Sequence, residues 1–245
     1  DPSAPPRDDP DIVQAFAEHV AFVARRWPEA LGIETWNEPN ADFAWRNPNP
    51  VRYARLHRAA AEAVDEVDSE MAVVVGGLAG NAGADVMGPQ RYLKGLYAAG
   101  LRPSDYDALA LHPYPGQADG RMSALGAGSG FARVFADFRA GFRSEDPGAA
   151  VWVTEVGLST TGAVPLSHHA QAQGLTRLTR RILTMPDVEA LFLHTQYDVP
   201  GLPPQDGERG FGVLVPRGQA VGSPKAAFCA LRDMATDPPF FAGCP

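Results

Sequence analysis

The sequence predicts an α/β fold built on a parallel β-sheet. Five short apolar segments alternate with segments of helical periodicity, at intervals of roughly 35–40 residues. Alternation of this kind requires crossover connections between parallel strands, and such crossovers are almost always right-handed. No low-complexity tract or linker divides the series. We therefore expect one domain over residues 11–245, preceded by a proline-rich loop or linker over residues 1–10.

Helices are predicted wherever apolar residues recur every three to four positions. In the first of them Ile12, Phe16, Val20 and Val23 share one face, and Asp11 is a plausible N-terminal cap. The predicted helices cover residues 11–27, 51–67, 90–99, 131–143, 169–183 and 223–234.

The apolar segments between these helices are predicted strands. Residues 71–76 are the clearest case, because they include a run of β-branched residues that is followed by a glycine-rich loop. The predicted strands cover residues 31–36, 71–76, 106–112, 151–155 and 188–194, with a short extended segment over residues 212–215.

Composition and charge exclude several classes of partner. The chain has 21 basic and 29 acidic residues, a net charge of −8 and no block of Lys or Arg. This balance argues against nucleic acid or an anionic membrane as a partner. No apolar run is long enough to span a membrane. A neutral small molecule or polymer fits the charge better.

The two cysteines, Cys229 and Cys244, lie near the C-terminus and far from any CxxC motif. No further thiol is present to complete a zinc site. A disulfide between them and two inert free thiols are the two alternatives, of which the disulfide is preferred. The chain begins at Asp1 without an initiator Met or a signal peptide. We interpret it as processed, trimmed or partial, and expect a secreted or extracellular protein.

Candidate functional residues follow the predicted strands. In parallel α/β folds such residues gather at the C-terminal strand ends, because the loops that follow open onto one face. The residues at these positions are Glu38, Asn81, His112, Tyr114, Glu155, Gln196, Tyr197 and Asp198. Cleavage of a glycosidic bond needs one carboxyl group to protonate the leaving oxygen and another to stabilise or attack the anomeric carbon. The set therefore predicts a site that cleaves sugars.

Each glutamate alone would more often be solvated than catalytic. Glu38 and Glu155 lie far apart in the chain, so only the fold could bring them together. Their joint placement at two strand ends, with His112-Pro113-Tyr114 between them, favours the catalytic interpretation.

These motifs carry a family resemblance. The stretch Ile33–Asn40 resembles the fourth-strand signature of clan A retaining glycoside hydrolases, and Trp152–Gly157 resembles their seventh-strand nucleophile segment. Leu111–Tyr114 is similar to their sixth strand, while Gly210–Leu214 and Ser223–Ala227 resemble the segment that links strand eight to its closing helix. The residues of these motifs most resemble those of glycoside hydrolase family 39, with family 5 next.

The resemblance implies a role for each matching residue. Glu38 would be the acid/base and Glu155 the nucleophile of a double displacement, with their carboxyl groups about 5–5.5 Å apart. Asn37 would hold the 2-hydroxyl of the reacting sugar. Tyr114 would hydrogen-bond the nucleophile, and His112 would orient the site or touch the sugar.

Three further residues are candidates for substrate binding. The clan often places a tryptophan at the end of strand eight as a floor for the sugar, whereas this sequence offers Gln196-Tyr197-Asp198. Tyr197 is the candidate substitute, beside Gln196. Trp45, like Phe43 in the same loop, could stack on a sugar or simply pack the loop. The glycine-rich segments lack dinucleotide-binding spacing, and neither a metal nor an organic cofactor is expected.

The motif register also predicts that the barrel is incomplete. If Trp36-Asn37-Glu38 closes strand four, the chain holds about five βα units of a (β/α)8 TIM-type barrel, from strand four to strand eight. Five strands alone would leave two open edges. We therefore expect the C-terminal portion of a longer barrel, or a separate segment that supplies the first three strands.

Two hypotheses for function follow. The first is a retaining glycosidase that cleaves O-glycosidic bonds in an oligo- or polysaccharide or a glycoconjugate. The alternative is a catalytically silent glycan-binding barrel, or an inactive barrel fragment. The presence of both clan glutamates favours the first.

Overall fold

The computed structural model describes residues 4–6, 9–80, 84–118, 121–217 and 220–235. In chain order the helices and strands are α1 (Pro10–Arg26), β1 (Gly32–Glu34), α2 (Pro50–Asp65), β2 (Ala72–Ala79), α3 (Pro89–Ala98), β3 (Ala108–His112), β4 (Gln117–Ala118), β5 (Arg121–Met122), α4 (Gly130–Phe142), β6 (Ala150–Val153), α5 (His168–Leu183), β7 (Val188–Leu191), β8 (Leu214–Arg217), β9 (Ala220–Pro224) and α6 (Ala226–Arg232). All six predicted helices and all five predicted strands are present. None of the described helices is long and apolar enough to cross a membrane.

The chain forms two compact units, the first of which consists of Asp1–Pro113, Val134–Thr154 and Asp187–Ala190. Its centre is a five-stranded sheet in the order β1-β2-β3-β6-β7. The pairings of β1 with β2, β2 with β3 and β3 with β6 are parallel. Each strand lies beside the next strand of this sheet along the chain, as in a (β/α)8 barrel. The predicted α/β fold is confirmed, while the single domain over residues 11–245 and the linker over residues 1–10 stay predictions.

Prolines define where the first two helices begin. Pro10 opens α1, and the side chain of Asp9 accepts a hydrogen bond of 3.0 Å from the backbone N–H of Asp11. Asp9 is therefore the cap, and not Asp11 as predicted. Proline suits the first helical position, so the helix begins at Pro10, one residue closer to the N-terminus than predicted. Pro50 opens α2 in the same way, after the cap Asn49.

One face of the sheet carries small residues. Ala108 and Ala110 of β3 pack against Val74 and, from β6, against Ala150 and Trp152. Because side chains alternate between the two faces of a strand, this face continues past the alanines to the last residue of β3. The small side chains leave room there for the large indole of Trp152.

Strand β2 extends three residues beyond its predicted end, through an irregular register between Val75 and Leu78. The irregularity lies at Gly76, whose N–H donates a 2.6 Å hydrogen bond to the hydroxyl of Tyr53. A Cβ atom at Gly76 would lie 2.1 Å from the carbonyl oxygen of Trp36. Glycine is required because the two backbones approach too closely for any side chain.

The second unit consists of Tyr114–Arg133, Glu155–Pro186 and Leu191–Pro245. It contains α5, α6 and two antiparallel hairpins, formed by β4 with β5 and by β8 with β9. The last helix begins at Ala226 and not at the predicted residue 223, because the preceding residues pair with β8 as strand β9.

A buried lysine organises the end of this unit. Lys225 is 2% exposed. Its ammonium group donates hydrogen bonds to Asp198 Oδ1 (3.0 Å), Thr160 Oγ1 (3.1 Å) and the carbonyl of Gly210 (3.2 Å). Burial lowers the pKa of Lys225, and the carboxylate of Asp198 opposes that shift. Asp198 therefore has a structural partner, as a buried cation requires.

The cysteines are only partly covered by the described residues. Cys229 lies in α6 and is disulfide-bonded. Cys244 lies outside the described residues, so its pairing with Cys229 stays a prediction.

Candidate active site

Glu38 lies in the loop that follows β1. Its backbone N–H donates a 3.0 Å hydrogen bond to the carbonyl of Gly77 in β2. Its φ angle is 45°, in the left-handed region that non-glycine residues rarely occupy. Such conformations concentrate at functional sites, where the surrounding structure holds them in place. The side chain is 13% exposed.

His112, the last residue of β3, holds the carboxyl group of Glu38. The imidazole is 2% exposed, and its Nδ1 lies 3.0 Å from Glu38 Oε1. Its Nε2 lies 3.1 Å from the hydroxyl of Thr154. A Cβ atom at Gly77 would lie 2.1 Å from this Nε2. The ring therefore occupies the space that a side chain at position 77 would need.

Strand register explains why His112 and Thr154 meet. In the parallel pairing of β3 with β6, Ala110 lies opposite Trp152. Two residues further along each strand, on the same face, are His112 and Thr154. The sequence identified His112 as a site residue, but it missed Thr154. The register of two parallel strands with known partners is the signal that could have found it.

In the second unit, the chain continues from Thr154 to Glu155. The hydroxyl of Tyr114 donates a short hydrogen bond to Glu155 Oε1. The ring of Tyr114 packs edge-to-face on Phe211, with ring centroids 5.6 Å apart. The predicted contact between Tyr114 and Glu155 is thus present.

His194 is a second residue that the sequence did not identify. Its ring centroid lies 6.5 Å from that of Tyr114 and 5.2 Å from that of Phe211. Its Nε2 lies 3.0 Å from Glu208 Oε2. His194 follows β7, so its position at a strand end was the available signal.

Two further strand-end candidates, Gln196 and Tyr197, contact the β8–β9 hairpin. Tyr197 forms an isolated bridge with Leu214, and its ring lies close to Gly222 of the β8–β9 hairpin. The carbonyl of Gln196 accepts a hydrogen bond from Leu214. Both side chains are exposed, as is that of Asn37. Asn81 lies outside the described residues.

Trp45 is 1% exposed and packs edge-to-face on Trp36 and Tyr53. Of the two alternatives for this residue, these contacts favour loop packing over stacking on a sugar. Phe43, in the same loop, is 62% exposed.

Within the described ranges, no group of three or more His, Cys, Asp or Glu side chains could hold a metal ion. The chemistry available at these strand ends is that of two carboxyl groups with a histidine and a phenol as their partners. The distance between the two carboxyl groups stays a prediction.

By its fold, the chain is similar to solved glycoside hydrolases, among them enzymes of glycoside hydrolase family 39. The GH39 enzyme from Xanthomonas axonopodis pv. citri matches with a TM-score of 0.65 and 22% identity, over 93% of this chain and 45% of that one. A monomeric beta-xylosidase from Caulobacter crescentus CB15 matches with a TM-score of 0.60 and 24% identity, over 93% and 46%. A b-glucuronidase from Ruminococcus gnavus matches with a TM-score of 0.59 and 15% identity, over 92% and 36%.

These likenesses are likenesses of fold. The chain spans less than half the length of each of the three enzymes. No protein-family model matches the sequence, and no curated protein sequence matches it. The resemblance to family 39 that the motifs suggested is confirmed at the level of the fold.

Proposed function

We propose that the chain carries both catalytic carboxyl groups of a retaining glycoside hydrolase, with Glu38 as the acid/base and Glu155 as the nucleophile. The main support is that each glutamate has a partner at the end of one strand, β3. His112, its last residue, is hydrogen-bonded to Glu38, and Tyr114, two residues later, donates to Glu155. Two carboxyl groups with separate partners suit the two different roles in a double displacement.

In the first step a carboxylate oxygen of Glu155 attacks the anomeric carbon and the bond from that carbon to the leaving oxygen breaks. The leaving oxygen takes the proton of Glu38. The hydrogen bond from Tyr114 stabilises the negative charge of Glu155 before the attack. Asn37 would bind the 2-hydroxyl of the sugar, a contact that strengthens as the transition state forms.

In the second step Glu38, now ionised, takes a proton from water. The resulting hydroxide equivalent attacks the anomeric carbon, and Glu155 leaves as a carboxylate. Two inversions at one carbon give overall retention, and both glutamates return to their starting protonation states.

The substrate would be a carbohydrate, taken from an oligo- or polysaccharide or a glycoconjugate. The names of the similar structures, a beta-xylosidase and a b-glucuronidase, make xylosides and glucuronides the first probes. The net charge of −8 gives a slight preference to the neutral xyloside. A secreted protein, and a further segment that supplies the remaining barrel strands, belong to the same proposal.

The test is covalent labelling of the full chain with 2,4-dinitrophenyl 2-deoxy-2-fluoro-β-D-xyloside and with the corresponding glucuronide. The fluorine slows both steps, and the good leaving group restores the first, so the glycosyl-enzyme accumulates. Mass spectrometry should find one added sugar on a peptide that contains Glu155. The variant Glu155→Gln should show no adduct.

Glu18→Gln is the matched control, because Glu18 is an exposed glutamate of α1 whose carboxylate accepts a hydrogen bond from the side-chain amide of Gln14. It should be labelled like the unmodified chain. Sugar binding without labelling or turnover, in a chain that keeps its circular dichroism spectrum, would contradict the proposal and favour the glycan-binding alternative.

A further inference from the structure

Two buried histidines of the first unit each contact a threonine hydroxyl. His57 is fully buried, and its Nδ1 lies 2.9 Å from the hydroxyl of Thr35. His112 is 2% exposed, and its Nε2 lies 3.1 Å from the hydroxyl of Thr154. The two pairs use opposite ring nitrogens, and their remaining partners differ in kind.

Every proton around His57 has a defined place. Its Nε2 lies 2.9 Å from the carbonyl oxygen of Asp105, which can only accept, so Nε2 carries the proton. The Nδ1 atom is therefore an acceptor, and Thr35 donates to it. The hydroxyl of Tyr53 accepts a hydrogen bond from the N–H of Gly76 and donates one to the hydroxyl of Thr35. The chain of bonds runs in one direction and ends on a carbonyl.

Each ring nitrogen of His112 contacts a side chain. On one side is the carboxyl group of Glu38 and on the other the hydroxyl of Thr154, and each of these groups can donate or accept. Two arrangements are possible for a neutral His112 ring. In the first, Nδ1–H donates to Glu38 Oε1 and Thr154 donates to Nε2. In the second, Nε2–H donates to Thr154 and a proton on Glu38 Oε1 is donated to Nδ1.

The two arrangements leave the acidic proton of Glu38 on different oxygens. In the second arrangement it lies on Oε1, which faces a buried ring and cannot deliver it to a leaving group. In the first, Oε1 accepts from His112, and the proton of the acid is on Oε2. The first arrangement also survives when Glu38 is ionised, because a carboxylate only accepts and charge-assisted hydrogen bonds are strong.

We infer that Thr154 is a positioning residue of the acid/base step: its hydroxyl donates to Nε2 of His112, keeps the proton of that ring on Nδ1, and so keeps the acidic proton of Glu38 on Oε2. This inference rests on the proposed role of Glu38. It assigns Thr154 a function that acts through His112 and not through contact with the sugar.

The first experiment reads the tautomers directly by 15N NMR of the imidazole rings in the full chain at neutral pH. His112 should show a protonated Nδ1 and an unprotonated Nε2, whereas His57 should show the reverse. Spectra of His112→Gln and His57→Gln assign the signals. A proton on Nε2 of His112 would overturn the inference, and this readout needs no substrate.

The second experiment compares Thr154→Val with Thr154→Ser on a series of aryl β-xylosides and β-glucuronides. Valine has the shape of threonine without the hydroxyl, and serine restores the hydroxyl. For Thr154→Val we expect kcat/KM to fall about 10-fold with phenyl leaving groups, which need protonation, and less than about 2-fold with 2,4-dinitrophenyl. Thr154→Ser should restore the phenyl substrates to within about 2-fold.

Thr35→Val is the matched control, because it removes the hydroxyl beside the other buried histidine. Thr35→Val should lower the stability of the chain, and any change in its kcat/KM should be the same for both leaving groups. An equal loss on both substrates in Thr154→Val would overturn the inference and indicate packing alone. Labelling of Glu155 separates the two proposals. If the labelling succeeds and the leaving-group effect is absent, only the role of Thr154 fails. If the labelling fails, the proposed function fails and the positioning role of Thr154 fails with it, while the tautomers still show whether its hydroxyl donates to His112.

Discussion

Glu38 and Glu155 have different surroundings. The partner of Glu38 is a histidine that is 2% exposed and is itself held by a threonine hydroxyl. The partner of Glu155 is a tyrosine in a cluster of aromatic rings, where His194 is 28% exposed and its partner Glu208 is 61% exposed. A buried hydrogen-bonded chain fixes the position of a proton, whereas an open aromatic cluster offers a surface to a ligand. The difference agrees with an acid/base role for Glu38 and a substrate-facing role for Glu155.

The largest effect should come from removing each glutamate in turn and supplying azide as a nucleophile. In Glu38→Ala, turnover of phenyl glycosides should fall by about 10²- to 10⁴-fold, because no group protonates the leaving oxygen. Sodium azide should then react with the glycosyl-enzyme and give a glycosyl azide of retained configuration. In Glu155→Ala, azide should instead give the inverted product, as NMR of the product would show. A retained azide from Glu155→Ala and an inverted one from Glu38→Ala would reverse the assignment.

The stability of the first unit, which contains the buried histidines, should be sensitive to acid. Burial lowers the pKa of His57 from 6.5 to about 4. Because the unfolded chain then binds this proton more readily, the contribution of His57 to stability is fully present above about pH 6.5 and is lost as the pH falls to 4. The full loss is about 3 kcal/mol. The free energy of unfolding, measured in urea at pH 7 and pH 4, should differ between the two pH values by about this amount less in His57→Gln than in the unmodified chain. An unchanged pH dependence would assign the acid sensitivity to other groups.

A smaller effect is expected from Gly77→Ala, which tests the space beneath the His112 ring. The new methyl group would lie 2.1 Å from His112 Nε2 and 2.7 Å from Thr154 Oγ1. The ring must move, and we expect the stability to fall by about 1–3 kcal/mol together with the activity. Gly148→Ala is the control, because that glycine is exposed and its nearest side-chain atom would be 4.0 Å away. Equal stability of both variants in urea would contradict the close contact.

The smallest effect should come from the open side, in His194→Phe. Phenylalanine keeps an aromatic edge against Tyr114 and Phe211 but loses the hydrogen bond to Glu208. Because Glu208 is 61% exposed, the stability should change by less than about 1 kcal/mol. We expect KM to change several-fold and kcat to stay within about 2-fold, as a surface that only contacts the sugar would give. A loss of kcat as large as that in Glu38→Ala would place His194 in the chemistry.

The sequence was sufficient to predict the strands and the residues that close them, because both follow from local patterns. A buried parallel strand is a run of apolar residues. His112 is the last residue of one, and Glu38 and Glu155 lie within four residues of the ends of two others. The motif order and the strand order then agreed, since each strand of the sheet pairs with the next along the chain.

What the sequence did not provide depends on contacts between distant segments. The extension of β2 past Gly76 requires the hydroxyl of Tyr53 and the carbonyl of Trp36, neither of which is near it in the chain. The aromatic rings of Trp45 and Tyr197 suggest sugar binding, but such rings pack protein interiors and hairpins equally well. The sequence alone does not indicate a role for Thr154, because a threonine before a glutamate has no significance until the register of β3 and β6 is known.

The left-handed backbone at Glu38 has a consequence for how this chain can change over time. A glycine or asparagine adopts φ = 45° with less strain than a glutamate, by about 1 kcal/mol or more. Replacement of Glu38 by glycine or asparagine would therefore relax the backbone while it removes the proposed acid. In descendants that do not need the proposed activity, we expect this position to be among the first to change, and a variant with glycine or asparagine at position 38 should melt at a higher temperature than the chain with glutamate.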